Sequence, residues 1–155
     1  GAVAGLVGIT PGAGFVTPAA GMAIGAITGL LCYFSVQLKV SLRFDDSLDT
    51  FAVHGVGGTI GAILTGVFAS AGLISSHPAG QVLAENGRFA LIGGQFQAVL
   101  VAYGLAALGT LLIAAVLRGL GMPFRVPEEA ENLGVDVREH GEEAYAERIG
   151  SPQFH

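Results

Sequence analysis

Charged and apolar positions are sharply segregated along the chain. Residues 13–36, 50–72 and 89–117 contain no Asp, Glu, Lys or Arg. The hydrocarbon core of a bilayer is about 30 Å thick and needs about 20 apolar residues in a helix. Each stretch therefore predicts a membrane-spanning helix, the third long enough to tilt or protrude. Residues 1–8 predict the end of a fourth span, cut by Thr10-Pro11-Gly12. The polar run Arg43-Phe44-Asp45-Asp46-Ser47-Leu48-Asp49 separates the first two spans. The expected fold is all-α: a polytopic transmembrane helix bundle over residues 1–117, with a short tail over residues 118–155.

Composition reinforces that reading. Of 155 residues, 52% are apolar and 12% charged, whereas a soluble domain carries about 25% charged residues. Three basic and four acidic residues lie before Arg118, and four basic and eight acidic follow from it. The tail therefore carries most of the net charge of −5. No basic cluster exists to neutralise phosphates, so no nucleic-acid partner is expected. Cys32, the only cysteine, cannot form an internal disulfide. Lys39 and Arg43 follow the first span, and Arg118 and Arg125 follow the third. The positive-inside rule puts the Lys39–Asp49 loop and the tail on the cytoplasmic side, with the C-terminus cytoplasmic, in a multi-pass protein of the cell membrane. Without an initiator Met and opening within an apolar run, the chain reads as the C-terminal part of a longer protein.

Gly21, Gly25 and Gly29 recur every four residues, and Gly57 and Gly61 repeat the spacing in the second span. Lipid offers no hydrophobic drive for helix association, so small residues that permit close backbone approach predict tight packing.

His54 is the one chemically informative residue of the apolar body, and an ionisable side chain inside the membrane is a functional-site hypothesis by default. If its helix begins near Asp45 or Asp46, His54 lies about 12–14 Å in at about 1.5 Å per residue. Thr50, Gly58, Gly61 and Thr65 then share its face. Apart from two hydroxyls that stripe is bare of bulk, leaving room for a small solute or a partner helix. Imidazole donates from one nitrogen and accepts at the other, which suits a hydrogen-bonding solute or a proton. The plainer reading is a histidine bonded across a helix interface. Asp45, Asp46 and Asp49 read first as helix-starting caps and dipole partners. His54, His77, His140 and His155 show no metal-ligand spacing. No catalytic motif is present, so neither an enzyme nor a cofactor is expected.

Gly8-Ile9-Thr10-Pro11 and the block from Asp45-Asp46 through Asp49 to His54-Gly55-Val56-Gly57-Gly58 resemble the C-terminal half of the ammonium transporter (Amt/Mep/Rhesus) family. Gly134-Val135-Asp136, His140-Gly141-Glu142 and Ala144-Tyr145 are similar to the family's C-terminal signature. The resemblance implies an eleven-helix protomer in a homotrimer, with a narrow histidine-lined pore for ammonium or ammonia in each subunit. His54 would be the second of two pore histidines, and Thr10 would lie near the outer part of the path. Asp46 and Asp49 would match acidic positions at the cytoplasmic start of a helix. The tail residues Gly134, Asp136, His140, Gly141, Glu142 and Tyr145 would take part in docking a PII-type signal protein. The other pore residues of the family have no counterpart in this chain. A different class remains open: a sensor or receptor on the same fold, signalling through its tail.

Overall fold

The computed structural model of the chain describes residues 1–142. Helix α1 (Ala2–Ile9) runs into a single 3-10 turn, Thr10–Gly12. Helix α2 (Pro18–Ser41) begins where Thr17 caps it, its side chain accepting from the Ala20 amide at 3.4 Å. Pro18 suits the first helical position because the N–H it lacks would have no partner there. A π-helical turn, Phe51–Val56, leads into α3 (Gly57–Phe68). A long helical stretch, α4, covers Pro78–Gly119. Gly87, with φ 78 and ψ 178, interrupts it and divides a short first part from a long second part. The short helices α5 (Glu128–Leu133) and α6 (Val135–His140) complete the described chain.

Among the described residues three segments are long and apolar enough to cross a membrane: Pro18–Ser41, Phe51–Phe68 and Pro78–Gly119. The first starts later than expected, because Gly12–Thr17 turns before Thr17 can cap. The second stops at Phe68 and not at residue 72. There Arg88 closes the helix end, donating to the carbonyls of Gly66, Val67 and Ala69 at 3.2, 2.6 and 3.1 Å. Between the second and third expected spans, the chain is already helical from Pro78 onward.

Two compact units are distinguishable, Gly1–Ala106 and the remainder from Ala107. In the first, α1, α2 and α3 meet at their glycines. Gly21 faces Ile9, Gly25 faces Gly5, and Gly29 faces the Gly1 carbonyl, so one stripe of α2 lies along α1. A Cβ on Gly61 would run into the Gly8 backbone, and one on Gly8 into the Thr28 side chain. A Cβ on Gly57 would lie 3.0 Å from the Cys32 sulfur. Both predicted glycine repeats therefore serve contact at backbone range. A second cluster gathers Ala69, Ile74 and Leu91, with Phe15, Val82 and Leu83 against it. By contrast, Leu100, Leu105, Leu108, Leu111 and Ile113 on α4 are exposed in the chain by itself. An apolar helix in that state is made to be covered by lipid or by other helices.

In the second unit, Gly121 (φ 75) follows α4. Helix α5 starts after Pro127 with Glu128, Glu129 and Glu131 near its positive end, which the helix dipole favours. Gly134 (φ 108) separates it from α6, and Gly141 (φ 71) ends α6 in the left-handed conformation. Arg125 grips Glu131 with two donors, Nε to Oε1 at 2.6 Å and Nη2 to Oε2 at 3.3 Å. That guanidinium contact holds the Glu131 carboxyl below its usual range.

Two outcomes follow from this packing. Gly61→Val should destabilise the protein by about 2 kcal/mol or more, since the added atoms meet main chain that cannot step aside. Gly93→Ala, where nothing in this chain lies within 4 Å of the new Cβ, should not. Thermal unfolding in detergent checks both, and an unchanged midpoint for Gly61→Val would refute the close approach. Because the Glu131 pKa is lowered on folding, its contribution is complete above the ordinary carboxylate value of 4.5 and fades as pH falls through the folded one. The Arg125–Glu131 contact, read from the Arg125 Nε–H shift, should therefore persist from neutral pH down to that value and loosen below it, and Glu131→Gln should remove that pH dependence.

Candidate functional site

The site is built from the π-helical turn upward. Asp46 precedes the helix and does not belong to it; helical conformation begins at Thr50. Its carboxylate accepts from the Thr50 amide through Oδ1 and from the Phe51 amide through Oδ2, both at 2.9 Å. Two of the donors that every helix start leaves without an internal partner are thereby satisfied. Asp49 adopts a left-handed backbone, φ 56, uncommon for a residue other than glycine. The Lys39 ammonium, 13% exposed, holds it by bonding both the Asp49 carboxylate and the Asp46 carbonyl oxygen. The C-terminal turn of α2 is thus clasped to the entry of the next helix. Asp45 is exposed.

This late start corrects the reckoning of depth for His54, which stands only four residues into its helix. Depth comes instead from the neighbouring helix. The Cys32 sulfur lies 4.0 Å from the Val53 carbonyl oxygen. That sets the π turn level with a point about 13 Å from the Ser41 end of α2 and about 21 Å from its Pro18 end, at about 1.5 Å per residue. His54 remains well inside the apolar length of the bundle.

The π turn also decides which residues share a face. A wider i→i+5 turn departs from the 3.6-residue period, and such turns recur at functional sites. His54 and Gly58 line one groove of about 430 Å³, together with Gly55, Thr59 and Ala62 from the same helix. Ala98, Val99, Ala102, Tyr103 and Ala106 of α4 form its other wall. Gly61 and Thr65 do not share that face. Both are buried, Gly61 against Gly8 and Thr65 bonded to the Gly61 carbonyl at 2.8 Å. Thr50 and Thr10 are likewise absent from the lining; the Thr10 hydroxyl bonds the Leu6 carbonyl at 2.7 Å. The His54 side chain is exposed to the groove and makes no hydrogen bond among the described residues. An imidazole with both nitrogens available, in a groove walled mainly by alanine, valine and glycine, can serve a small solute as donor and acceptor at once.

Two residues that periodicity did not bring forward also stand in the groove. Tyr103 Oη lies 3.1 Å from the Gly55 carbonyl oxygen and 2.8 Å from Thr59 Oγ1, which is itself 2.7 Å from that carbonyl. The signal that could have found Tyr103 is its hydroxyl in a charge-free span, since a phenol inside a membrane needs a partner.

His77 accepts the Ala79 amide on Nδ1 at 3.1 Å and meets the edge of Phe15, with ring centroids 5.1 Å apart. Among the described residues no cluster of His, Cys, Asp and Glu has the makings of a metal site. Of the tail residues, Gly134 joins α5 to α6, Asp136 is in the first turn of α6, and His140 is its last residue. Gly141 and Glu142 follow, and Tyr145 lies outside the described residues.

Comparison with known proteins gives this geometry a context. The family description Ammonium Transporter Family matches residues 1–145. An ammonium transporter of Bacillus subtilis is 43% identical over 150 residues, covering 96% of this chain and 36% of that protein. Ammonium transporter MEP2 of Saccharomyces cerevisiae is 36% identical over 155 residues, covering 95% of this chain and 30% of that protein. The crystal structure of Saccharomyces cerevisiae Mep2 superposes with a TM-score of 0.66 at 34% identity, over 82% of this chain and 29% of that one. The chain thus spans about a third of the length of the curated relatives it matches.

Proposed function

Because the chain belongs to the Ammonium Transporter Family, we propose that it is the C-terminal part of a membrane transporter and supplies the His54 wall of a path for ammonium or ammonia. The observation that carries this reading is the His54 imidazole, without a partner among the described residues, in a groove whose remaining lining is almost wholly apolar. A structural histidine at a tight helix interface would be bonded across it. The relatives' names as ammonium transporters support the solute.

The physics favours a neutral passenger. Removing an ammonium ion from water into a low-dielectric path costs several kcal/mol even after relaxation. Ammonia avoids most of that cost, its proton being released at the entrance or passed separately. His54 then acts as a neutral hydrogen-bonding partner on the path and as a relay for that proton. Gly58 keeps the wall beside it free of bulk. Thr10 and Thr50, outside the groove lining, belong to the same path in the complete protein. Asp46 and Asp49, with Asp45 before them, hold the cytoplasmic entry of the helix in shape.

The same reading extends to the assembly. The complete protomer forms a homotrimer in the cell membrane, and the exposed apolar length of α4 is covered by lipid or by neighbouring helices. The tail is cytoplasmic. Its residues Gly134, Asp136, His140, Gly141, Glu142 and Tyr145 form the regulatory surface for a PII-type signal protein. Paired glycines at 134 and 141 that fix the ends of two short helices are consistent with a shaped surface.

Reconstituted protein in proteoliposomes should take up ammonium. His54→Ala should cut that flux about tenfold or more or alter its ion selectivity, the scale of losing a hydrogen bond to a charged or strongly polar partner. Unchanged flux and selectivity would remove His54 from the path. Ammonium binding without any flux in the unaltered protein would favour a sensor. Truncation after Arg125 should weaken transport or its regulation, and intact transport together with intact PII binding would contradict the role given to the tail.

A further inference from the structure

Beside His54, two side-chain hydroxyls of the described residues line the groove, those of Thr59 and Tyr103. With the Gly55 carbonyl oxygen they form a closed triangle, its edges 2.7 Å from Thr59 to Gly55, 3.1 Å from Tyr103 to Gly55 and 2.8 Å between the hydroxyls. Each hydroxyl has one hydrogen and two acceptor lone pairs, and the carbonyl has lone pairs only. Two hydrogens must therefore serve three edges. Turning either hydrogen out toward the groove would leave two oxygen–oxygen approaches with no hydrogen between them, which repel. Both hydrogens stay inside the triangle, and the groove meets lone pairs.

We propose that the Thr59 and Tyr103 hydroxyls, anchored on the Gly55 carbonyl, form a station that accepts hydrogen bonds from an N–H-bearing solute next to His54, and so contribute to its selection. The station rests on the reading of this groove as a solute path, and it adds a chemical sense to that path. His54 offers one donor and one acceptor, whereas the triangle offers acceptors alone. A solute rich in N–H groups, such as ammonia, ammonium or a primary alkylammonium, gains at both places. An anion, with nothing to donate, gains nothing at the triangle. The π turn puts Gly55 directly after His54 in the groove lining, so one backbone irregularity presents the imidazole beside the carbonyl that anchors both hydroxyls.

The test uses the complete membrane protein in proteoliposomes with methylammonium as the probe, comparing the unaltered protein with Tyr103→Phe, Thr59→Val and Thr59→Ser. Tyr103→Phe leaves the Thr59–Gly55 bond intact, and Thr59→Val leaves the Tyr103–Gly55 bond intact. Each should therefore fold while offering the solute fewer acceptors. Both should raise KM about fivefold or more with a smaller change in kcat, the scale of one lost hydrogen bond. Thr59→Ser keeps the hydroxyl and should restore the unaltered KM. Unchanged KM in Thr59→Val and Tyr103→Phe, or a fall in kcat alone, overturns the station while leaving the path. Absence of methylammonium flux in the unaltered protein, by contrast, strikes at the path itself.

Discussion

Backbone-to-backbone approach between α1 and its two neighbours, α2 and α3, decides how the helices sit and which way the groove opens. In lipid, apolar side chains gain little by leaving their surroundings for one another, so helices stay together through close contact and specific polar bonds. Gly8 against Gly61 and Gly5 against Gly25 permit that contact. They also fix the rotation of α3 about its own axis: with Gly57 and Gly61 turned toward α1 and α2, the opposite face, bearing Gly58, must look toward α4. Bulk at Gly61 would disturb both the packing and the direction in which the site opens.

Polar bonds then complete what the glycines begin. Lys39, held between Asp49 and the Asp46 carbonyl, fixes how the chain enters the π turn. Arg88 binds three carbonyls at the other end of the same helix. A cation thus stands at each end of one short span, satisfying groups that lipid could not. Between them lies the groove with the His54 imidazole and the hydroxyl triangle. Its polarity is confined to a few atoms.

Much of this was legible in the residues. Charge-free stretches of spanning length announced three membrane helices, and the four-residue glycine spacing announced their close packing. The block around His54 carried the family likeness. What could not be read was local backbone irregularity. The π turn has no periodic signature, so an ideal 3.6-residue wheel put Gly61 and Thr65 beside His54 when they belong to the opposite packing face. The left-handed Asp49 delays the helix to Thr50, which a count of caps from Asp45 or Asp46 does not foresee. Tyr103 lies in α4, far from His54 in sequence, and only the fold brings it to Gly55.

On the proposed path, His54 meets the transported solute inside the membrane. Solid-state NMR on the complete protein in bilayers, with labelled methylammonium and labelled His54 imidazole, tests it most directly. Magnetisation transfer from the solute to the ring nitrogens is the predicted result. Transfer to the imidazole from lipid acyl chains, with none from methylammonium, would contradict it.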